Sequence, residues 1–152
     1  MFLFRIFAPM GKVYIENRKV RFEYHILETY TAGIVLQGTE IKSIRNGKIS
    51  MNDSFCYFNN GELFVKNILI SETKDAFTHN AKRDRKLLLK KKELNRLSNN
   101  LVKGFTILPY KVFMNDKGLV KVEIVLGRGK KLYDKRETIK ERDIYRELKK
   151  EY

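Results

Sequence analysis

Apolar and polar positions alternate from Phe22 to Tyr30 (Phe-Glu-Tyr-His-Ile-Leu-Glu-Thr-Tyr), and the run continues through Ala32-Gly-Ile-Val-Leu36. This predicts a long first strand, bent or bulged at Gly33. Gly38 to Gly47 predicts one short helix, with Thr39 as N-cap candidate, Ile41 and Ile44 one turn apart and Gly47 as the stop. Two apolar runs, Ser54 to Phe58 and Glu62 to Ile70, flank Asn59-Asn-Gly61, and two more, Phe105 to Phe113 and Leu119 to Leu126, flank Asn115-Asp-Lys-Gly118. Asn and Gly accept positive φ, so each pair predicts a hairpin. Between the hairpins, 82–98 carries Leu87, Leu94 and Leu97 on one helical face, which Leu101 extends, and predicts an amphipathic helix. About five strands with flanking helices describe a mainly β chain, a small, partly open barrel of the oligonucleotide-binding type with the helix laid on it.

Charge changes the picture more than hydrophobic content, which at 43% simply allows a core for one domain. Lys and Arg number 32 against 18 Asp and Glu, a net charge of +14, so a nucleic acid or an anionic membrane is the expected partner. The excess is local: 82–103 carries +7 while 25–81 carries −1. The predicted helix concentrates it, with Lys82, Arg83, Arg85, Lys86, Lys90, Lys92 and Arg96 against Asp84 and Glu93. That face is read as phosphate-binding. A membrane-surface helix is the competing reading, disfavoured because the leucines are needed for packing and the chain has no Trp.

After the strand pattern of 119–126 the apolar signal thins. Residues 130–152 hold nine Lys/Arg and six Asp/Glu with few side chains able to bury area, too little to offset ordering entropy, so this tail is expected to be disordered when free. Ile144, Tyr145, Leu148 and Tyr152 nevertheless share helical spacing, so a partner surface could order it. The organisation read is a leader, 1–16, a barrel domain, 17–129, and a basic tail, 130–152. Met1 to Pro9 is apolar but too short for a signal h-region or a membrane span. The single cysteine, Cys56, lies in an apolar run and reads as a buried thiol in a reducing cytoplasm.

Catalysis finds little support. A ribonuclease using His25 and His79 as acid and base is the main enzymatic alternative. Against it, His25 sits in a strand pattern and His79 in an expected exposed loop, and no two-metal carboxylate cluster, phosphate-cradling Gly loop or nucleophile elbow is present. A general single-strand binder or ribosomal protein built on the same barrel is the second alternative. Tyr24 and Tyr133 offer faces for unpaired bases, with a core aromatic the alternative for Tyr24.

Five segments in order carry a resemblance. They are Asn17-Arg-Lys-Val-Arg-Phe-Glu-Tyr24, Ala32-Gly-Ile-Val-Leu-Gln-Gly-Thr-Glu-Ile-Lys-Ser-Ile-Arg45, Asp53-Ser-Phe55, Arg83-Asp-Arg-Lys-Leu-Leu-Leu89 and Gly129-Lys-Lys-Leu-Tyr-Asp-Lys-Arg136. With them the chain resembles the SmpB family, small bacterial proteins that bind tmRNA in trans-translation. The resemblance implies an adaptor, and the chain as a whole is read as a non-enzymatic, monomeric, cytoplasmic protein without metal or cofactor. Its barrel would hold the tRNA-like domain of tmRNA, and its tail would enter the empty mRNA channel of a stalled ribosome. It implies RNA contacts at Asn17, Arg18, Lys19, Arg21 and Tyr24, at Lys42, Ser43 and Arg45, and at Arg83, Arg85, Lys86, Leu88 and Lys90. It implies decoding-centre contacts at Lys130, Lys131, Tyr133, Asp134, Lys135 and Arg136. Two positions depart from the family pattern: Thr31 stands where an acidic residue is usual, and Lys90 where His or Asn follows the leucine triplet.

Overall fold

In the computed structural model, which describes residues 12–75, 77–130, 136, 139–140, 142–144 and 146, β1 (Val13–Glu16) leads through a five-residue helix α1 (Lys19–Glu23) into the long β2 (Tyr24–Ile34). Helix α2 (Gly38–Arg45) and the short β3 (Ile49–Ser50) follow. Next come β4 (Phe55–Asn59), β5 (Glu62–Lys66), β6 (Leu69–Ile70) and β7 (Arg85–Leu88). Helix α3 (Lys91–Asn100) precedes the closing hairpin of β8 (Phe105–Met114) and β9 (Val120–Gly129).

Seven strands form one antiparallel sheet in the order β1-β8-β4-β5-β7-β2-β9, and β9 also pairs with β8, so the sheet returns on itself in a ring. β3 and β6 pair separately. This is the mainly β, oligonucleotide-binding-type architecture expected. Both hairpins form where their turns predict. Asn60 and Gly61 take φ of 51° and 78°, the two positive values a two-residue type I′ turn requires. In the second turn Gly118 has φ 79° and the Asn115 Oδ1 accepts from the amides of Lys117 and Leu119 at 3.1 and 2.8 Å.

Inward positions of the ring supply the core. Leu63, Val65, Leu87, Ile107, Val122 and Ile124 are fully buried, joined by Ile44 from α2 and Leu97 from α3. Each such side chain stabilises by about 1.5–3 kcal/mol. A smaller cluster, Val20, Leu108, Tyr110 and Val125 with Tyr24 against it, seats α1 on the outside of the β8–β9 hairpin. Cys56 is buried, and burial pushes its thiol well above the ordinary range. Among the described residues no helix is long and apolar enough to cross a membrane.

Four local expectations are corrected. The predicted helix over 82–98 is divided: Arg85–Leu88 is strand β7, inserted between β5 and β2, and the helix starts only at Lys91. Arg85 and Leu87 point inward and Lys86 and Leu88 less so, a period of two that an inward arginine disguises. Gly33 is no bulge; it is in register with both Leu88 and Lys121, and a Cβ there would lie 3.3 Å from Leu88 Cβ. The bulge falls between Ile26 and Glu28 instead. Gln37, not Thr39, caps α2, because the Glu40 carboxylate turns back to accept the Gln37 amide at 2.8 Å. Finally, Phe22 belongs to α1 and not to the first strand.

Candidate nucleic-acid interface

Helix α2 and strand β7 are locked together by an ionic core. Glu40 and Arg85 are both fully buried, and the Glu40 carboxylate is paired with Arg85 Nε and Arg83 Nη2. Arg83 Nε also donates to Glu40 at 3.1 Å and its Nη2 to the Val35 carbonyl at 3.2 Å. Arg85 donates to the carbonyls of Ile68 at 2.7 Å and Ala81 at 3.2 Å. Burial alone would raise the Glu40 carboxyl, but the Arg83, Gln37 amide and Arg85 hydrogen bonds outweigh it and hold the group below its ordinary value. Burial pulls Arg85 down while Glu40 opposes it.

Arg85 is therefore a core cation, not the phosphate contact its place on a helix would have made it. Arg83 is largely committed to the same carboxylate, with a quarter of its side chain exposed. Ser43 is also interior, its hydroxyl donating to the Ser71 carbonyl at 2.7 Å. His79 corrects another expectation: it is buried, with Nε2 donating to the Ile70 carbonyl at 2.9 Å and Nδ1 hydrogen-bonded to the Thr39 hydroxyl at 2.8 Å. Nδ1 thus ties the 71–81 loop to α2, and Nε2 ties it to the end of β6. His25 is half-buried on β2, in register with Arg128.

The remaining cations are outside. Arg18, Lys19 and Arg21 are exposed on or beside α1, with the Arg21 guanidinium 5.3 Å from the centre of the Tyr110 ring. The Tyr110 hydroxyl donates to Glu16 at 2.6 Å, and burial together with that bond pushes it up to about 12. On α2, Lys42 is exposed 4.0 Å from Asp75, and Arg45 is exposed at the helix end. Lys86 reaches Glu62 at 3.0 Å.

Lys90, Lys91 and Lys92 crowd the start of α3, balanced by Glu93 accepting the Lys90 amide at 3.1 Å, while the last turn carries no base. This is the unfavourable end of the helix dipole for cations. A positive charge there gains only when an anion joins it.

Two surface depressions gather predicted residues that are distant in sequence. One, of about 430 Å³, brings Asn17, Lys19 and Tyr24 together with the Asn52–Phe55 turn. Tyr24 is half-buried, packed so closely over Gly127 that a Cβ on that glycine would lie 3.1 Å from its own; it is both a core aromatic and a cleft wall. The second, of about 250 Å³, lies over Gly33 and joins Arg45, Leu88, Leu119 and Lys121. Leu88 is 51% exposed there, an apolar side chain in a depression that also holds Arg45 and Lys121. Thr31 faces Glu123 across the strand pair, so an acidic residue at 31 would have stood directly opposite a carboxylate.

In the tail, Lys130 is half-buried and its amide donates to the Glu23 carbonyl at 2.8 Å. Lys131, Tyr133, Asp134 and Lys135 lie outside the described residues. Arg136, Ile139, Lys140, Arg142–Ile144 and Arg146 are helical, with Arg142 5.2 Å from the Phe22 ring centre. Sequence reasoning missed Glu40, although the Gln37-x-x-Glu40 spacing is a capping-box signal and Arg83-x-Arg85 has strand spacing. Among the described residues no group of three or more His, Cys, Asp or Glu is placed to hold a metal.

A ring-like antiparallel sheet flanked by cationic helices, with exposed aromatic and apolar groups between the cations, defines a nucleic-acid-binding class of protein. Comparison with known proteins narrows it. The family model described as SmpB protein matches residues 14–152. SsrA-binding proteins of Bacteroides thetaiotaomicron and Parabacteroides distasonis are 53% and 52% identical over 139 and 141 residues, covering 90% and 91% of this chain and 93% and 92% of theirs. A solved structure described as "tmRNA-SmpB: a journey to the center of the bacterial ribosome" is 46% identical with a TM-score of 0.66, covering 82% of this chain and 87% of that one. The chain belongs to the SmpB family.

Proposed function

We propose that this protein is a non-catalytic adaptor that binds the tRNA-like domain of tmRNA and delivers it to stalled ribosomes for trans-translation in the cytoplasm. The observation that carries this reading is the match to SsrA-binding proteins over nine-tenths of both chains, on a fold whose exposed cations fit an RNA backbone. Arg18, Lys19 and Arg21 on and beside α1, Arg45 at the end of α2 and Lys90 to Lys92 at the start of α3 are the groups we assign to phosphates. Leu88 and Tyr24 supply the uncharged contacts. Arg83, Arg85 and Ser43 act indirectly, by fixing α2 to β7 so that these surfaces keep their places.

The tail, Lys130 to Tyr152, is assigned to the ribosome, with Lys130, Lys131, Tyr133, Asp134, Lys135 and Arg136 at the decoding centre and the rest in the empty mRNA channel. Its described apolar side chains support this: Ile139 and Ile144 are 42% and 57% exposed, and both gain by meeting a surface.

A competition gel shift at near-physiological salt tests the RNA half of the proposal. The protein should hold the tmRNA tRNA-like domain in excess ordinary tRNA and single-stranded RNA. Displacement by either competitor at equal mass would reduce it to a general basic RNA binder.

A further inference from the structure

Asp53-Ser-Phe55 is the one sequence motif that the adaptor reading leaves without a role, and it forms a wall of the cleft shared with Lys19 and Tyr24. The turn is built to hold a shape. Asp53 has φ 56°, a left-handed conformation uncommon outside glycine and tolerated best by Asn and Asp. The Asn67 side chain donates to the Asp53 carbonyl at 3.2 Å, and the Met51 carbonyl accepts from both the Ser54 hydroxyl, at 2.8 Å, and the Asn17 side-chain Nδ2, at 3.3 Å. These bonds fix the backbone and leave the side chains of Asn52 and Asp53 exposed, with no partner among the described residues.

The aromatic groups are equally fixed. Phe55 is 37% exposed and leans on Tyr57 at 6.4 Å. Tyr57 in turn stacks on Phe64 at 5.8 Å and donates to Asp84 at 2.5 Å. A pre-ordered ring beside unpaired polar groups is the arrangement that receives an unstacked nucleobase, which is read on its Watson–Crick edge while its face stacks.

The charges select the base. Asp53 and Glu23 both border the cleft, with Lys19 as the cation, so Lys19 can meet a neighbouring phosphate of the backbone while the Asp53 carboxylate favours a hydrogen-bond donor. Guanine presents two adjacent donors, N1–H and the N2 amine, which match the two oxygens of one carboxylate. Adenine and cytosine present one amine beside an acceptor, and uracil a single N–H between two carbonyls. We propose that this cleft takes one unpaired guanine of the RNA partner, its Watson–Crick edge on the Asp53 carboxylate and its face on the Phe55 ring. The proposal rests on the RNA-binding reading above.

The test uses the full-length protein and a tRNA-like RNA in which each unpaired guanine is replaced in turn by inosine, which lacks the N2 amine. One replacement should weaken binding about tenfold, the loss of one hydrogen bond to a charged group. Asp53→Asn, which keeps the turn's left-handed preference, should weaken binding to the unmodified RNA to a similar extent and no longer distinguish inosine at that position; an unchanged Tm verifies its fold. Independently, GMP should shift the amide resonances of residues 52–55 more than AMP, CMP or UMP. Indifference to every inosine, or the same inosine loss in wild type and Asp53→Asn, overturns the proposal. Failure of the wild type to bind the RNA would overturn the adaptor reading instead, and the nucleotide titration would still decide whether the cleft prefers guanine.

Discussion

Replacing Glu40 by glutamine removes one charge and leaves the buried Arg85 guanidinium and the partly exposed Arg83 one without the carboxylate they share. Breaking a buried pair on one side costs about 3–5 kcal/mol, so Glu40→Gln should unfold at markedly lower temperature and denaturant concentration than wild type. The pH dependence has a definite sign. The folded-state carboxyl lies below its unfolded value, so its contribution is complete above the unfolded value of about 4.3 and is lost as pH falls through the folded one. Wild type should therefore lose stability on acidification, and Glu40→Gln should show a flatter acid limb in urea melts taken at successive pH values. None of this is visible in composition. Glu40 reads as an ordinary first-turn acid and Arg83 and Arg85 as part of a basic run; only the fold brings the three together from positions more than 40 residues apart. Asn60-Gly61, by contrast, was legible because positive φ is a local property.

At the scale of elements, the basic segment 82–98 divides into two parts with different roles. Strand β7 turns its arginine inward to the α2 carboxylate, and α3 turns its lysines outward at the start of the helix. The leucine spacing is compatible with either secondary structure, since Leu87 serves a strand and Leu94 and Leu97 a helix; the decision is made by pairing with β5 and β2, which no local pattern records. The assignment has a consequence for salt dependence. Removing the charges of Arg18, Lys19 and Arg21 on and beside α1 should reduce the slope of log affinity against log salt by about 0.7–0.9 per lost phosphate contact. Replacing Arg85 by methionine should leave that slope nearly unchanged and shift thermal unfolding instead. Equal slopes for wild type and the triple variant, measured by filter binding from low to moderate salt, would move the phosphate surface away from α1.

The whole molecule combines a ring-like sheet that fixes surfaces with a basic tail whose described apolar side chains, Ile139 and Ile144, are exposed. The overall class was readable because strand alternation, two hairpin turns and a local excess of positive charge are sequence properties. The gathering of Arg45, Leu88 and Lys121 over Gly33 was not, because it depends on β2 lying between β7 and β9. The two halves should be separable in function. Tagging of nascent peptides on stalled ribosomes, measured in parallel with affinity for the tRNA-like domain for wild type and a variant lacking 134–152, tests this most directly. The truncated protein is expected to bind the RNA with nearly unchanged affinity and to support no tagging. A parallel loss of affinity and tagging, or tagging that survives the deletion, would contradict it.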